Sequence, residues 1–270
     1  MIITSFANQK VKHIRKLDQK KYRQETGQFF VEGLRIVGEA VQMGAPLEAL
    51  VVAPDLLVSD FGRSLLSHPA VKNIDRIEVS SQVYQAIAHK DGPQGIGAIV
   101  RQAWRDLEAI QVDPADLWIA LDAIADPGNL GTIMRTADAV GTRGIILLGQ
   151  STDPYDSTAV KASMGAIFSL ELAQSDWEAF NRWRSAQGLM MVGTSDSADQ
   201  DYQAVAYQRP LMLLMGSERH GLGQEKQSAC DQMVSIPMAG RSDSLNLGVA
   251  TAVMLYEIHN QFRRKQEEGL

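Results

Sequence analysis

Two rhythms alternate along the chain. Short apolar runs bounded by glycine, proline or aspartate are followed by longer stretches whose apolar residues recur every three or four positions. The first pattern predicts buried strands and the second predicts helices with one apolar face. In residues 10–23, Val11, Ile14 and Leu17 keep helical spacing among cations, which predicts a single amphipathic helix, broken by Gly27. Gln28–Glu32 (QFFVE) reads as a strand, and Gly33 opens a helix carried by Ile36, Val37, Ala40 and Val41 to Met43, where Gly44 stops it. Further strands are expected at Leu50–Ala53 and Asp75–Val79. Helices are expected around Gly62–Ser67 and from Ser80 or Ser81 to Ala88, the latter with a serine N-cap. The turn-rich His89–Gly97 feeds a strand at Ala98–Val100, and Asp106–Asp116 (DLEAIQVDPAD) has the polar look of a linker. The expected division is a small α/β domain with its linker over residues 1–105 and a second domain over residues 106–270.

In the second part, strands are predicted at Leu117–Leu121, Gly144–Leu148, Phe168–Leu172, Leu189–Gly193 and Pro210–Met215, with a short strand end at Val234–Met238. Between them, Asp126–Asn129 reads as a tight loop, and helices follow at Leu130–Val140, Thr158–Met164 and Trp177–Gln187. This βαβ alternation implies a mostly parallel sheet with helices on both faces, and places ligand loops at the carboxyl ends of its strands. The last helix, beginning near Asn246, mixes small residues (Gly248, Ala250, Thr251, Ala252) with apolar ones (Val249, Val253, Met254, Leu255) and has hardly any charge before Glu257, so burial on most sides is expected.

Composition narrows the class. The chain is 45% hydrophobic and 21% charged over 270 residues, the balance of an ordinary soluble globular protein of one or two domains. No apolar run reaches bilayer-spanning length, and the start has no apolar segment after a basic one, so no membrane association and a cytoplasmic location are expected. The single cysteine, Cys230, excludes an internal disulfide and suits a reducing compartment as a buried structural thiol. A formal net charge of −6 argues against the whole surface being a nucleic-acid platform. The distribution matters more. Lys10, Lys12, Arg15, Lys16, Lys20, Lys21 and Arg23 face only Asp18 in their segment, forming either a basic arm able to track phosphates or a solvated helix face.

Three strand-end loops carry candidate chemistry. The first runs from Asn129 through Gly131 to Arg135 and Ala137, the second is Gly216-Ser217-Glu218-Arg219-His220-Gly221-Leu222-Gly223, and the third holds Gly240, Arg241, Ser242, Asp243 and Ser244 before Asn246. Glycines there permit close backbone approach to a ligand, and an arginine fork can meet a phosphate. Other chemistries lack their residues. There is no G-x-G-x-x-G for a dinucleotide, no G-x-x-x-x-G-K-[ST] for a triphosphate, no nucleophile elbow near His220 and no histidine pair at metal spacing.

Together the three loops resemble the SpoU/TrmH family of RNA ribose methyltransferases in the SPOUT superfamily. Asn129, Gly131, Arg135 and Ala137 fit its first motif. Gly216, Glu218 and Gly221 fit the second, and Ile236, Pro237, Met238, Gly240, Ser244, Leu245 and Asn246 the third, in matching order and spacing. Gly92-Pro93-Gln94-Gly95-Ile96 and Lys161–Ala166 also look like stretches seen in that family, and residues 1 to about 100, with Phe30-Val31-Glu32-Gly33, resemble its L30e-like substrate-binding domain. The resemblance implies a C-terminal SPOUT domain with a deep trefoil knot, a homodimer through that domain, and S-adenosylmethionine bound near Thr194, Gly216, Ile236, Met238 and Leu245.

It further implies methyl transfer to a ribose 2′-hydroxyl, with Arg135 as the activating residue. Asn129, Glu218, Ser244 and Asn246 would orient Arg135 and the ribose, and Asn129 and Arg135 would face the other protomer's cofactor. Since arginine is ordinarily protonated, Arg135 need not be a literal base. Family members often carry serine where this chain has Gly248, which removes a hydroxyl contact. The N-terminal domain type favours ribosomal RNA, with no DNA expected. A transfer RNA substrate, or a non-catalytic RNA-binding protein on this scaffold, remain the alternatives; an oxidoreductase would need the missing glycine fingerprint.

Overall fold

A tripeptide divides the basic N-terminal segment that its spacing predicts as one helix. In the computed structural model, which describes residues 1–89 and 92–267, α1 (Gln9–Lys16) and α2 (Lys20–Thr26) are separated at Leu17-Asp18-Gln19. Lys90 and Asp91 of the predicted turn-rich stretch lie outside the described residues. The break has a local cause. Arg23 Nη1 donates to the carbonyls of Leu17 (2.9 Å) and Asp18 (2.8 Å), satisfying acceptors at a helix end. The predicted apolar stripe holds: Val11, Ile14 and Leu17 are buried.

Arg23 itself does not belong to the basic face that its sequence neighbours suggest. It is only 2% exposed, with Nε donating to Asp153 Oδ2 at 2.8 Å and Nη2 lying 2.7 Å from Asp153 and 3.4 Å from Asp156. A buried guanidinium persists only when paired in this way. Lys10, Lys12, Arg15, Lys16, Lys20 and Lys21 are exposed as predicted.

The chain forms two units, Met1–Ala103 with Asp153–Ser169, and Trp104–Thr152 with Leu170–Leu270. In the first, β1 (Gln28–Glu32), α3 (Leu34–Gln42), β2 (Leu47–Val52), α4 (Asp60–Leu66), β3 (Asp75–Glu78), α5 (Ser81–Ile87) and β4 (Ile96–Arg101) follow in order. The sheet order is β1-β4-β2-β3, with β4 antiparallel to both neighbours and β2 parallel to β3. β2 begins at Leu47 rather than Leu50 because Leu47 and Ala49 already pair with β4, including the half-buried positions that apolar content alone misses. Ser80 caps α5 through Val83 N, as its sequence predicts.

The second unit is the parallel sheet that the βαβ alternation implies. Its elements are β5 (Trp104–Arg105), β6 (Leu117–Asp122), α6 (Pro127–Ala139), β7 (Gly144–Leu148), β8 (Glu171–Ser175), α8 (Trp177–Ala186), β9 (Met190–Thr194), β10 (Gln200–Asp201), β11 (Leu211–Met215), α9 (Gln224–Ala229), β12 (Gln232–Ser235) and α10 (Leu247–Glu267). Helix α7 (Ser157–Ser163) belongs to the first unit. Strands run in the order β10-β12-β9-β11-β6-β7-β8-β5 with parallel pairings throughout. Their apolar runs are buried on both faces, as in Leu117–Leu121 and Leu211–Met215.

Four further expectations are corrected by the structure. The polar 106–116 stretch is anchored rather than free, since β5 pairs with β8 and Leu107 and Ile110 enter the core. Helix α6 starts at Pro127 instead of Leu130, because Asp126 Oδ1 accepts from Asn129 N at 2.8 Å and proline is preorganised for the first helical turn. A 3₁₀ turn at Ala166–Phe168 moves the next strand to Glu171. In α10, Gly248, Thr251, Met254, Leu255, Ile258 and Phe262 are buried, but Val249 and Tyr256 are each 49% exposed, so burial on most sides does not hold within one chain.

Candidate active site

Adjacent parallel strands β12, β9, β11 and β6 end at one edge, and each releases a loop there. The loop after β11 turns at once. Ser217 and Gly221 exchange backbone hydrogen bonds of 3.2 and 3.0 Å. A Cβ on Gly216 would stand 2.2 Å from the Gly221 carbonyl carbon, so only glycine fits. This turn presents Glu218. One carboxylate oxygen accepts from Asn129 Nδ2 (3.1 Å) and Asp126 N (3.3 Å), and the other accepts from Ala125 N (3.2 Å).

Burial pushes the Glu218 carboxyl up, but the Asn129 side chain and the backbone amides of Glu218, Ala125 and Asp126 outweigh it and leave the group below its ordinary value. Glu218 is thus held as an anion with its acceptors occupied. The hydrogen bonds continue in one direction. Since Asn129 Nδ2 faces a carboxylate, its Oδ1 accepts from Asn246 Nδ2 at 2.9 Å, and Asn246 Oδ1 accepts from Gly248 N (2.9 Å) and Val249 N (3.3 Å), capping α10. Three strand-end loops are thereby tied by Glu218, Asn129 and Asn246.

Arg135 and Ser244 are not drawn into this relay. Six residues beyond Asn129 on α6, Arg135 points roughly 120° away around the helix. It is exposed and has no hydrogen-bond or ion-pair partner among the described residues. Ser244 is exposed and its hydroxyl donates to Asp243 Oδ1 at 3.3 Å. Helix α10 packs against α6, with Thr132 Cγ2 3.4 Å from where a Cβ of Gly248 would stand.

The residues expected to hold a cofactor line the same edge. Thr194 ends β9, with its hydroxyl 3.5 Å from Met215 Sδ; Gly216 follows β11; and half-buried Ile236 follows β12. Met238 and Leu245 are 38% and 37% exposed in the loop between β12 and α10. From Ile236 to Leu245 no backbone–backbone hydrogen bond is made among the described residues. That loop therefore offers donors and acceptors beside apolar side chains, a surface suited to a nucleoside.

One partly buried ion pair is not legible in the sequence. Asp122, 7% exposed at the end of β6, receives Lys226 Nζ at 2.5 Å, and the same ammonium lies 5.6 Å from the Trp177 ring centre. The aspartate closing an apolar strand was the available signal; its partner lies far away in sequence. Among the described residues no cluster of histidine, cysteine and carboxylates is arranged for a metal ion.

Comparison with known proteins bears on this edge. Residues 116–256 match the model of the SpoU rRNA Methylase family, and residues 8–98 match that of the MRM3-like substrate binding domain. A 23S rRNA (uridine(2479)-2'-O)-methyltransferase of Streptomyces viridochromogenes is 32% identical over 253 residues, covering 91% of this chain and 87% of that protein. The 23S rRNA (guanosine(2553)-2'-O)-methyltransferase RlmP of Bacillus subtilis is 28% identical, covering 95% and 98%. The AdoMet-bound rRNA methyltransferase of Sinorhizobium meliloti aligns with a TM-score of 0.88 at 39% identity, covering 96% of this chain and 97% of that one.

Proposed function

The chain belongs to the SpoU rRNA methylase family, and from that premise we propose that it methylates a ribose 2′-hydroxyl of 23S ribosomal RNA as a cytoplasmic homodimer. The enzyme is an S-adenosylmethionine-dependent RNA 2′-O-methyltransferase with a SPOUT fold. The observation that carries the reading to this chain's own residues is the relay of Glu218, Asn129 and Asn246 at the carboxyl edge of the sheet. Ribosomal RNA is favoured over transfer RNA by the relatives' substrates.

When bound, S-adenosylmethionine supplies an electrophilic sulfonium methyl group. Thr194, Gly216, Ile236, Met238 and Leu245 would hold it, mainly through backbone groups of the loop from Ile236 to Leu245 that make no backbone–backbone hydrogen bond among the described residues. Glu218, with its hydrogen bonds already made, fixes the loop after β11 and the start of α6 rather than carrying a proton. Rigid placement of nucleophile and acceptor carbon in line supplies much of the rate. A sugar hydroxyl must also lose its proton to attack. Arg135, unpaired among the described residues, activates that hydroxyl together with the neighbouring phosphate, and Ser244 orients the ribose from the loop before α10.

Two assembly features complete the reading. Val249 and Tyr256, seven residues apart on one face of α10 and each 49% exposed, form an apolar stripe that a second copy covers. Because α6 packs on α10, that partner would lie near Arg135, which then serves the partner's cofactor. The segment from Ile236 to Asn246 closes the trefoil knot. Residues 1–105 carry the RNA-binding domain and 106–270 the methyltransferase domain, apart from Asp153–Ser169, which belong to the first unit, with Lys10, Lys12, Arg15, Lys16, Lys20 and Lys21 on phosphates. Calorimetric titration with S-adenosylmethionine followed by transfer of labelled methyl to purified ribosomal or transfer RNA tests this. Saturable binding and labelled 23S RNA are expected; absence of cofactor binding contradicts it, and labelled transfer RNA alone redirects the substrate.

A further inference from the structure

Three motifs singled out in the sequence have no part in the carboxyl-edge site: Phe30-Val31-Glu32-Gly33, the segment holding Gln94, and the segment Lys161–Ala166. All three converge in the first unit on one cavity of about 460 Å³. Its wall is apolar at Phe30, Ile36, Val160 and Met164. Gly33, at φ 92°, turns the chain from β1 into α3, where Leu34 N donates to Gln94 Oε1 at 3.1 Å. With its oxygen engaged, the Gln94 carboxamide keeps its NH₂ group to donate.

The rim is cationic. Arg35 and Lys161 are exposed there, and neither has an ion-pair or hydrogen-bond side-chain partner among the described residues. Glu32, the carboxylate of the wall, already accepts from His89 N at 2.9 Å. Met164 holds a left-handed backbone at φ 55°, a conformation uncommon for residues other than glycine, and such departures cluster at ligand sites.

We propose that this cavity receives one unstacked nucleotide of the RNA substrate, distinct from the nucleotide that is methylated. The base lies against Phe30, Ile36 and Met164, Gln94 donates to its edge, and Arg35 and Lys161 meet the flanking phosphates. The volume falls in the range of small-ligand pockets, an apolar wall accepts the face of any base, and unpaired cations at a rim suit a phosphate backbone. The assignment rests on the proposed function and adds a second, non-reacting contact that selects the RNA.

Thr158 lines the cavity and is exposed, so Thr158→Trp fills it with little demand on folding. RNA fragments that the wild type methylates would be scanned with single abasic nucleotides. One position away from the methylated nucleotide is expected to weaken wild-type binding about tenfold, and that penalty disappears in Thr158→Trp, while cofactor affinity is unchanged in both. Arg35→Gln and Lys161→Gln should each lower the slope of log affinity against log salt by about one.

An active wild type whose abasic penalties are all unaltered by Thr158→Trp overturns the cavity assignment and leaves the proposed function standing. Binding of free uridine or guanosine monophosphate that Thr158→Trp abolishes, with no position-specific abasic effect, marks a free-nucleotide site and also overturns it. A wild type that methylates no RNA overturns both.

Discussion

Arg23 and Arg135 are the same residue in opposite circumstances. Arg23 sits among the cations of the N-terminal arm, yet its guanidinium is buried against Asp153, Asp156 and the carbonyls of Leu17 and Asp18. Arg135 lies on the same helix as Asn129 of the Glu218 relay, yet stands exposed with no partner among the described residues. Pairing consumes an arginine for architecture, and lack of pairing leaves one for a ligand. The surroundings of Glu218 repeat the lesson, since its occupied acceptors make it a brace rather than a proton carrier.

The contrast breaks most visibly at Arg23. Arg23→Ala strands two carboxylates and is expected to destabilise the fold by about 3–5 kcal/mol, read as a lowered denaturation midpoint. Retained stability would show that the buried pairing is dispensable. Arg135→Ala should leave the melting temperature and cofactor affinity unchanged while lowering turnover by about 10²-fold or more; a large loss of stability there would erase the distinction.

How much of this contrast is legible in the sequence depends on how far apart the partners lie. The apolar runs of β6, β7 and β11 read directly as buried strands, and the residues of the Glu218 relay stand in three recognisable loops. Arg23 reads as one more surface cation because its acceptor Asp153 lies 130 residues away, and Lys226 and Asp122 are 104 apart. The start of α6 is hidden for another reason. Pro127 and Gly128 read as turn residues until the Asp126 cap shows that they open a helix. The short strands β5 and β10 have too few residues to show a period.

Smaller effects sharpen the brace side of the comparison. Asn246→Ala removes the acceptor for Gly248 N and Val249 N and should cost about 1 kcal/mol, lowering Tm by about 2–4 °C. An unchanged Tm would mean that the α10 cap is idle. Glu218 titrates below its ordinary value in the fold, so it stabilises the native state above the unfolded carboxylate value of about 4.3. That contribution fades as pH falls through the lower folded value. Glu218→Gln should flatten this acid limb of the stability curve slightly, the change being small because the carboxylate is partly solvated.

Ribose methylation of ribosomal RNA is proposed to take place at the carboxyl edge of the second sheet, with Arg135 as the activating group. Mapping of 2′-O-methyl groups in 23S RNA from cells lacking the protein, and from cells restored with wild type or Arg135→Ala, tests it most directly. One 2′-O-methyl mark is expected to be lost without the protein, regained with the wild type and not with Arg135→Ala. An unaltered set of ribose marks, or full restoration by Arg135→Ala, would contradict it.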